Sequence, residues 1–130
     1  MKYDEFLNQV RQRGGPAERE HADAAAKQIL AALGQRLAGN EPVDLASQLP
    51  AELKDPLLRP TGKAEIGDEF DDFLRRIADR EGRGCSSEEA LTHAQAVLGT
   101  IASFVSSGEI QDLRSQLPAS YAPLFEPVHT

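Results

Sequence analysis

One segment of the chain occurs twice: Asp44-Leu45-Ala46-Ser47-Gln48-Leu49-Pro50-Ala51 and Asp112-Leu113-Arg114-Ser115-Gln116-Leu117-Pro118-Ala119. The two copies differ only at the third position. Chance does not readily give such a pair in a chain of 130 residues, and self-similarity at a fixed spacing is the mark of a repeated structural unit. The flanks agree. Phe70, Phe73, Leu74 and Ile77 repeat Tyr3, Phe6, Leu7 and Val10, and Ala90, Ala94, Val97, Leu98, Ile101 and Val105 repeat Ala22, Ala26, Ile29, Leu30, Leu33 and Leu37. Both sets recur at three- and four-residue intervals, the stripe of an amphipathic helix. No segment shows the sustained alternation of a strand. The expected fold is all-α: a tandem repeat of two pseudo-equivalent four-helix units packed into one compact helical domain. Residues 1–58 form the first repeat, 59–67 a linker and 68–130 the second repeat. Each unit alone is marginal in its ability to bury a core, so the two are expected to share an interface.

Local signals place the helices. Tyr3 to Arg13 forms the first, ended by Gly14-Gly15. Pro16 suits the first turn of a long helix reaching about Ala38, with Gly39-Asn40 closing it and Asn40 capping a short helix to Gln48. Leu49-Pro50 breaks the chain and starts the next helix, because proline disfavours a helical residue before it but fits a first turn. The second repeat starts near Phe70. Ser86-Ser87-Glu88-Glu89 spells a capping box for its long helix, with Gly108 as the stop. Ile110 to Gln116 follows, and Pro118 opens a last helix in which Tyr121 and Phe125 replace Leu53 and Leu57.

The net charge of −7 lies mostly in the second half. A negative field opposes binding to nucleic acid and to anionic membranes. Arg75, Arg76, Arg80 and Arg83 form the one basic cluster, but Asp72 is spaced to pair with Arg75 and Arg76 on the same helix. No run approaches the roughly 18 apolar residues of a membrane span. The single cysteine, Cys85, excludes an intramolecular disulfide and fits a reducing cytoplasm.

Tyr3-Asp4-Glu5-Phe6-Leu7, Phe70-Asp71-Asp72-Phe73-Leu74 with Arg80-Glu81-Gly82, and the paired Gln48-Leu49-Pro50 and Gln116-Leu117-Pro118 together resemble a bacterial family, domain of unknown function 2267. The resemblance covers nearly the whole chain. It implies a soluble helical bacterial protein and supplies no catalytic residues.

Candidate chemistry is sparse. There are three histidines, His21, His93 and His129. Glu18-Arg19-Glu20-His21 has the Glu-x-x-His spacing used in helical metal sites, so Glu18 and His21 are the metal candidates, in a site that would bridge the two long helices. The second copy lacks the motif, and the histidines are read as surface residues with no metal or cofactor required. Cys85, beside Arg83 and a helix entry, has the setting of a lowered thiol pKa, but no resolving cysteine or catalytic base accompanies it, and it is read as an incidental, partly buried thiol. Asp68, Glu69, Asp71 and Asp72 are read as helix-start carboxylates rather than a calcium loop. In the repeated segment the leucines are assigned to the core. Asp44, Gln48, Asp112 and Gln116 are the candidate interaction residues. No nucleophile–base pair, phosphate loop or dinucleotide motif is present. The expected function is a non-enzymatic interaction or regulatory module with a protein partner. The alternative is a small metal- or ligand-binding helical protein.

Overall fold

The computed structural model describes residues 1–37, 39–59, 69–82 and 84–128. Most of the expected linker, together with Asp68, Arg83 and His129, lies outside the described residues. Among these there are eight helices and no strand. They are α1 (Tyr3–Gln12), α2 (Arg19–Gly34), α3 (Glu41–Ala46), α4 (Ala51–Leu58), α5 (Phe70–Glu81), α6 (Ser87–Phe104), α7 (Ser107–Ser115) and a terminal 3-10 helix (Ala119–Phe125).

Helix starts follow the side chains available to occupy free backbone groups. Ser86 Oγ accepts from the Glu89 N–H at 3.1 Å and the Glu89 carboxylate accepts from the Ser86 N–H at 3.4 Å, the reciprocal pair expected for α6. Asp72 likewise accepts from the Glu69 N–H at 3.4 Å at the start of α5. In the next turn Arg75 pairs with Asp72 at 3.4 Å, so part of the basic cluster is neutralised on its own helix.

Four boundaries differ from expectation. The long helix α2 starts at Arg19 rather than at Pro16, because Glu18 holds an extended backbone ahead of it. It ends at Gly34, where a Cβ would stand 2.3 Å from the Leu57 carbonyl oxygen; glycine lets α4 cross here. The next turn tightens to three-residue hydrogen bonds, Arg36 N–H to Leu33 O and Leu37 N–H to Gly34 O. Asn40 precedes α3 without a side-chain cap, its backbone being already helical. Gly108 lies inside α7, because Ser106 Oγ accepts from the Glu109 N–H and starts that helix earlier. The last element is a 3-10 helix containing Pro123. With three residues per turn, its buried face is Tyr121 and Leu124, and Phe125 is only partly covered.

The two long helices lie at the centre. α2 packs on α1, α4, α5 and α6, and α6 packs on α1, α2, α5 and the terminal helix. α3 packs on α4 and α7. Small residues at the starts of the long helices, Ala22, Ala25, Ala26, Ala90 and Ala94, are fully buried and permit close approach. Tyr121 lies 5.1 Å from each of the Phe70 and Phe73 rings, and the Arg36 guanidinium stands 5.3 Å over Tyr121. The side chain just beyond α2 is thereby tied to α5 and to the chain's end. Among the described residues no helix is long and apolar enough to cross a membrane.

Leu30, Leu98, Leu49 and Leu117 are all buried, as the stripes require. Truncating Leu30 or Leu98 to alanine is expected to destabilise the fold by about 2–5 kcal/mol, the usual range for a buried leucine. Val43→Ala, at a side chain that is mostly exposed, should stay within about 0.5 kcal/mol of wild type. Urea denaturation of the variants measures both.

Candidate functional site

Two clusters of titratable groups form where elements from the two ends of the chain meet. The first surrounds Glu81, the last residue of α5. Gly82 ends that helix with φ +66, a left-handed conformation glycine takes without strain, and the turn leaves Glu81 directed at α2 and α6. Its side chain is fully buried. Oε1 lies 3.1 Å from His21 Nε2, on the first turn of α2, and 2.8 Å from His93 Nδ1, on α6. The two imidazole rings stand edge to face, 5.6 Å apart. The three donor atoms all lie within 4.8 Å of one another. The Cys85 thiol donates to Glu81 Oε2 at 3.7 Å.

This arrangement corrects two expectations. His21 and His93 are not surface histidines; their side chains are 19% and 11% exposed because α5 closes over them. Cys85 is partly buried, as expected, but its setting does not lower the thiol pKa. Burial, reinforced by the Glu81 and Glu89 carboxylates, pushes its pKa up to about 11. Of the two metal candidates the structure uses His21 in the cluster, while Glu18 sits at the N-cap of α2, outside the converging group. His21 on α2 and His93 on α6 meet at one carboxylate, and that carboxylate is Glu81. Sequence spacing missed it because it belongs to a third helix. The signal available was its position, since a carboxylate in a last helical turn is disfavoured by the helix dipole and calls for a compensating partner.

The second cluster lies in the seam between α3 and α7 and is built from the repeated segment and its flanks. Glu41 begins α3 and Glu109 lies in the first turn of α7. Both are buried, and each has one carboxyl oxygen with no hydrogen-bond partner among the described residues. Asp44 converges on them from the exposed side. Burial, then the hydrogen bond and charge of Glu109, then the charges of Asp112 and Asp44, raise the Glu41 pKa to about 8. Glu41 therefore keeps a proton near neutrality. The candidate interaction residues divide their roles. Gln48 accepts from the Ser106 N–H at 2.9 Å and donates to Ser106 Oγ at 3.4 Å, so it ties the end of α3 to the start of α7. The Asp44 and Asp112 carbonyls each accept from the serine three residues on, Ser47 and Ser115. Gln116 occupies the C-cap of α7.

Over residues 3–124 the chain matches the family described as an uncharacterized conserved protein, DUF2267, and it belongs to that family. No curated protein matches the chain.

The acid seam predicts a pH dependence. A carboxyl whose pKa is higher in the folded chain binds more protons folded than unfolded, so its contribution to stability is full below its unfolded pKa of 4.5 and is lost as pH rises toward about 8. Wild-type stability should fall across that window through this group. Glu41→Gln, which cannot ionise, should flatten the fall and exceed wild type at pH 8 by about 1–3 kcal/mol, the usual penalty of a poorly satisfied buried group. Chemical denaturation of both proteins at pH 5 and pH 8 checks the sign and the size.

Proposed function

We propose that the protein is a non-enzymatic interaction module, built from a duplicated helical unit, whose α3–α7 seam receives a basic segment of a protein partner. The observation that carries this is the gathering of Glu41, Asp44, Glu109 and Asp112 in one place. Like charges so placed oppose folding, and a cationic side chain set against them relieves that repulsion. Val43, the most exposed large apolar side chain among the described residues, precedes Asp44 on α3. A partner lysine or arginine would give its charge to the seam and its methylene stem to Val43. The acidic balance of the whole chain steers the same kind of partner and disfavours duplex DNA. The single cysteine fits a cytoplasmic location.

The duplicated unit is supported by the order of elements and by their contacts. The four helices α1 to α4 are followed by α5, α6, α7 and the terminal 3-10 helix in the same sequence of short, long, short and short. Contact of α2 with α4 has its counterpart in α6 with the terminal helix, α1 with α6 in α5 with α2, and α1 with α2 in α5 with α6. α2–α6 and α3–α7 are pairs of equivalents, as they would be about a two-fold axis. On this reading the two copies form one domain, and the repeated segment was kept in both because the seam needs its leucines, aspartates and glutamines twice.

A photo-crosslinking amino acid at position 43 in the native cell tests the proposal. It should capture a segment rich in Lys and Arg, and Asp44→Asn with Asp112→Asn should reduce the capture several-fold. A captured segment without basic excess, or capture unchanged by the double substitution, would contradict it.

A further inference from the structure

The centre around Glu81 serves no part of the seam, and its chemistry points elsewhere. A carboxylate that is fully buried needs a positive charge or a full set of donors. Glu81 is such a carboxylate. It ends α5, where the helix dipole places partial negative charge. Its partners among the described residues are two imidazoles and a thiol. A neutral imidazole can donate a hydrogen bond to Oε1 but brings no positive charge with it. A divalent cation would supply the charge and use the same three atoms.

The donor set selects the ion. Two imidazole nitrogens and a carboxylate oxygen suit zinc and its first-row neighbours rather than calcium or magnesium, which take oxygen ligands. Donor atoms of a tetrahedral zinc, with bonds of about 2.0–2.1 Å, stand about 3.3 Å apart. His21 Nε2 and His93 Nδ1 lie 3.1 and 2.8 Å from Glu81 Oε1, and all three atoms lie within 4.8 Å of one another, so two of the edges are within a few tenths of an ångström of the zinc spacing. The two histidines sit on the central helices, whose close contact fixes their separation, and Glu81 arrives from a third element.

We infer that His21, Glu81 and His93 bind one divalent transition-metal ion of the zinc class. On binding, the ring nitrogens facing Glu81 present lone pairs to the ion. The proton each carried moves to the other ring nitrogen, or to solvent where the ring was doubly protonated. Three protein ligands leave a fourth position, and Cys85 flanks the carboxylate at its other oxygen. Because the ligands come from α2, α5 and α6, the ion cross-links the first half of the chain to the second.

Titration of the purified full chain with zinc against a chromophoric chelator tests this. One equivalent per chain is expected, with a raised melting temperature on loading. His21→Ala and His93→Ala should each weaken binding by at least the roughly 10–100-fold seen for loss of a supporting partner and abolish the thermal shift. His21 is partly exposed, so its variant should stay folded, as far-UV circular dichroism would report, even if Glu81→Gln does not. Glu41→Gln and Glu109→Gln, which disarm the seam, should leave zinc binding unchanged. Failure to take up an equivalent, or uptake that survives loss of both histidines, would overturn the inference and leave an internal hydrogen-bonded trio. Neither result bears on the crosslinking at position 43.

Discussion

The arrangement depends on how the two long helices are covered. α2 is apolar around much of its surface, with Ala22, Ala25, Ala26, Ile29, Leu30 and Leu33 all fully buried. A short helix from the same half can shield only one side of such a rod. The opposite side of α2 is closed by α5, from beyond the linker, and α6 is closed by α1. Area removed from water is the main favourable term in folding, and here much of it lies between elements far apart in sequence. Both polar clusters follow from this crossing. α5 delivers Glu81 to the histidines of the helices it covers, and the exchange brings α3 and α7 face to face.

The two clusters answer one problem by different means. A buried carboxylate must be neutralised or compensated. At the seam the remedy is a proton held by Glu41 at the cost of two unpartnered oxygens. Around Glu81 the remedy is a ring of nitrogen and sulfur donors. The first arrangement gathers carboxylates close to the surface, with Asp44 exposed. The second is enclosed, its carboxylate fully buried. Each relieves an electrostatic burden that the apolar packing alone creates.

The helices were legible in the sequence because burial and helical period leave the same trace. The stripe Phe6, Leu7, Val10 and its repeat Phe73, Leu74, Ile77 predicted helix, face and burial together. The capping box at Ser86 was equally plain, since its bonds are local. The 3-10 form of the last helix was not, because Tyr121, Leu124 and Phe125 satisfy either period. Gly108 misled as a stop because Ser106, not the glycine, decides where α7 begins. In the clusters, Asp44 and Gln48 stand out through repetition. His21 stands out through its spacing to Glu18, whereas the carboxylate it meets is Glu81, which reaches it only through packing across 60 residues of chain. The Glu41–Glu109 pair left no local pattern at all.

The central claim is that neither half stands without the other. Native-state hydrogen exchange tests it most directly, read at the buried amides of α2 around Leu30 and of α6 around Leu98. The crossing of α1 and α5 predicts that the slowest amides of both helices open with one common free energy, equal to that of global unfolding. Exchange of one long helix at a clearly lower free energy, with the other still protected, would contradict it.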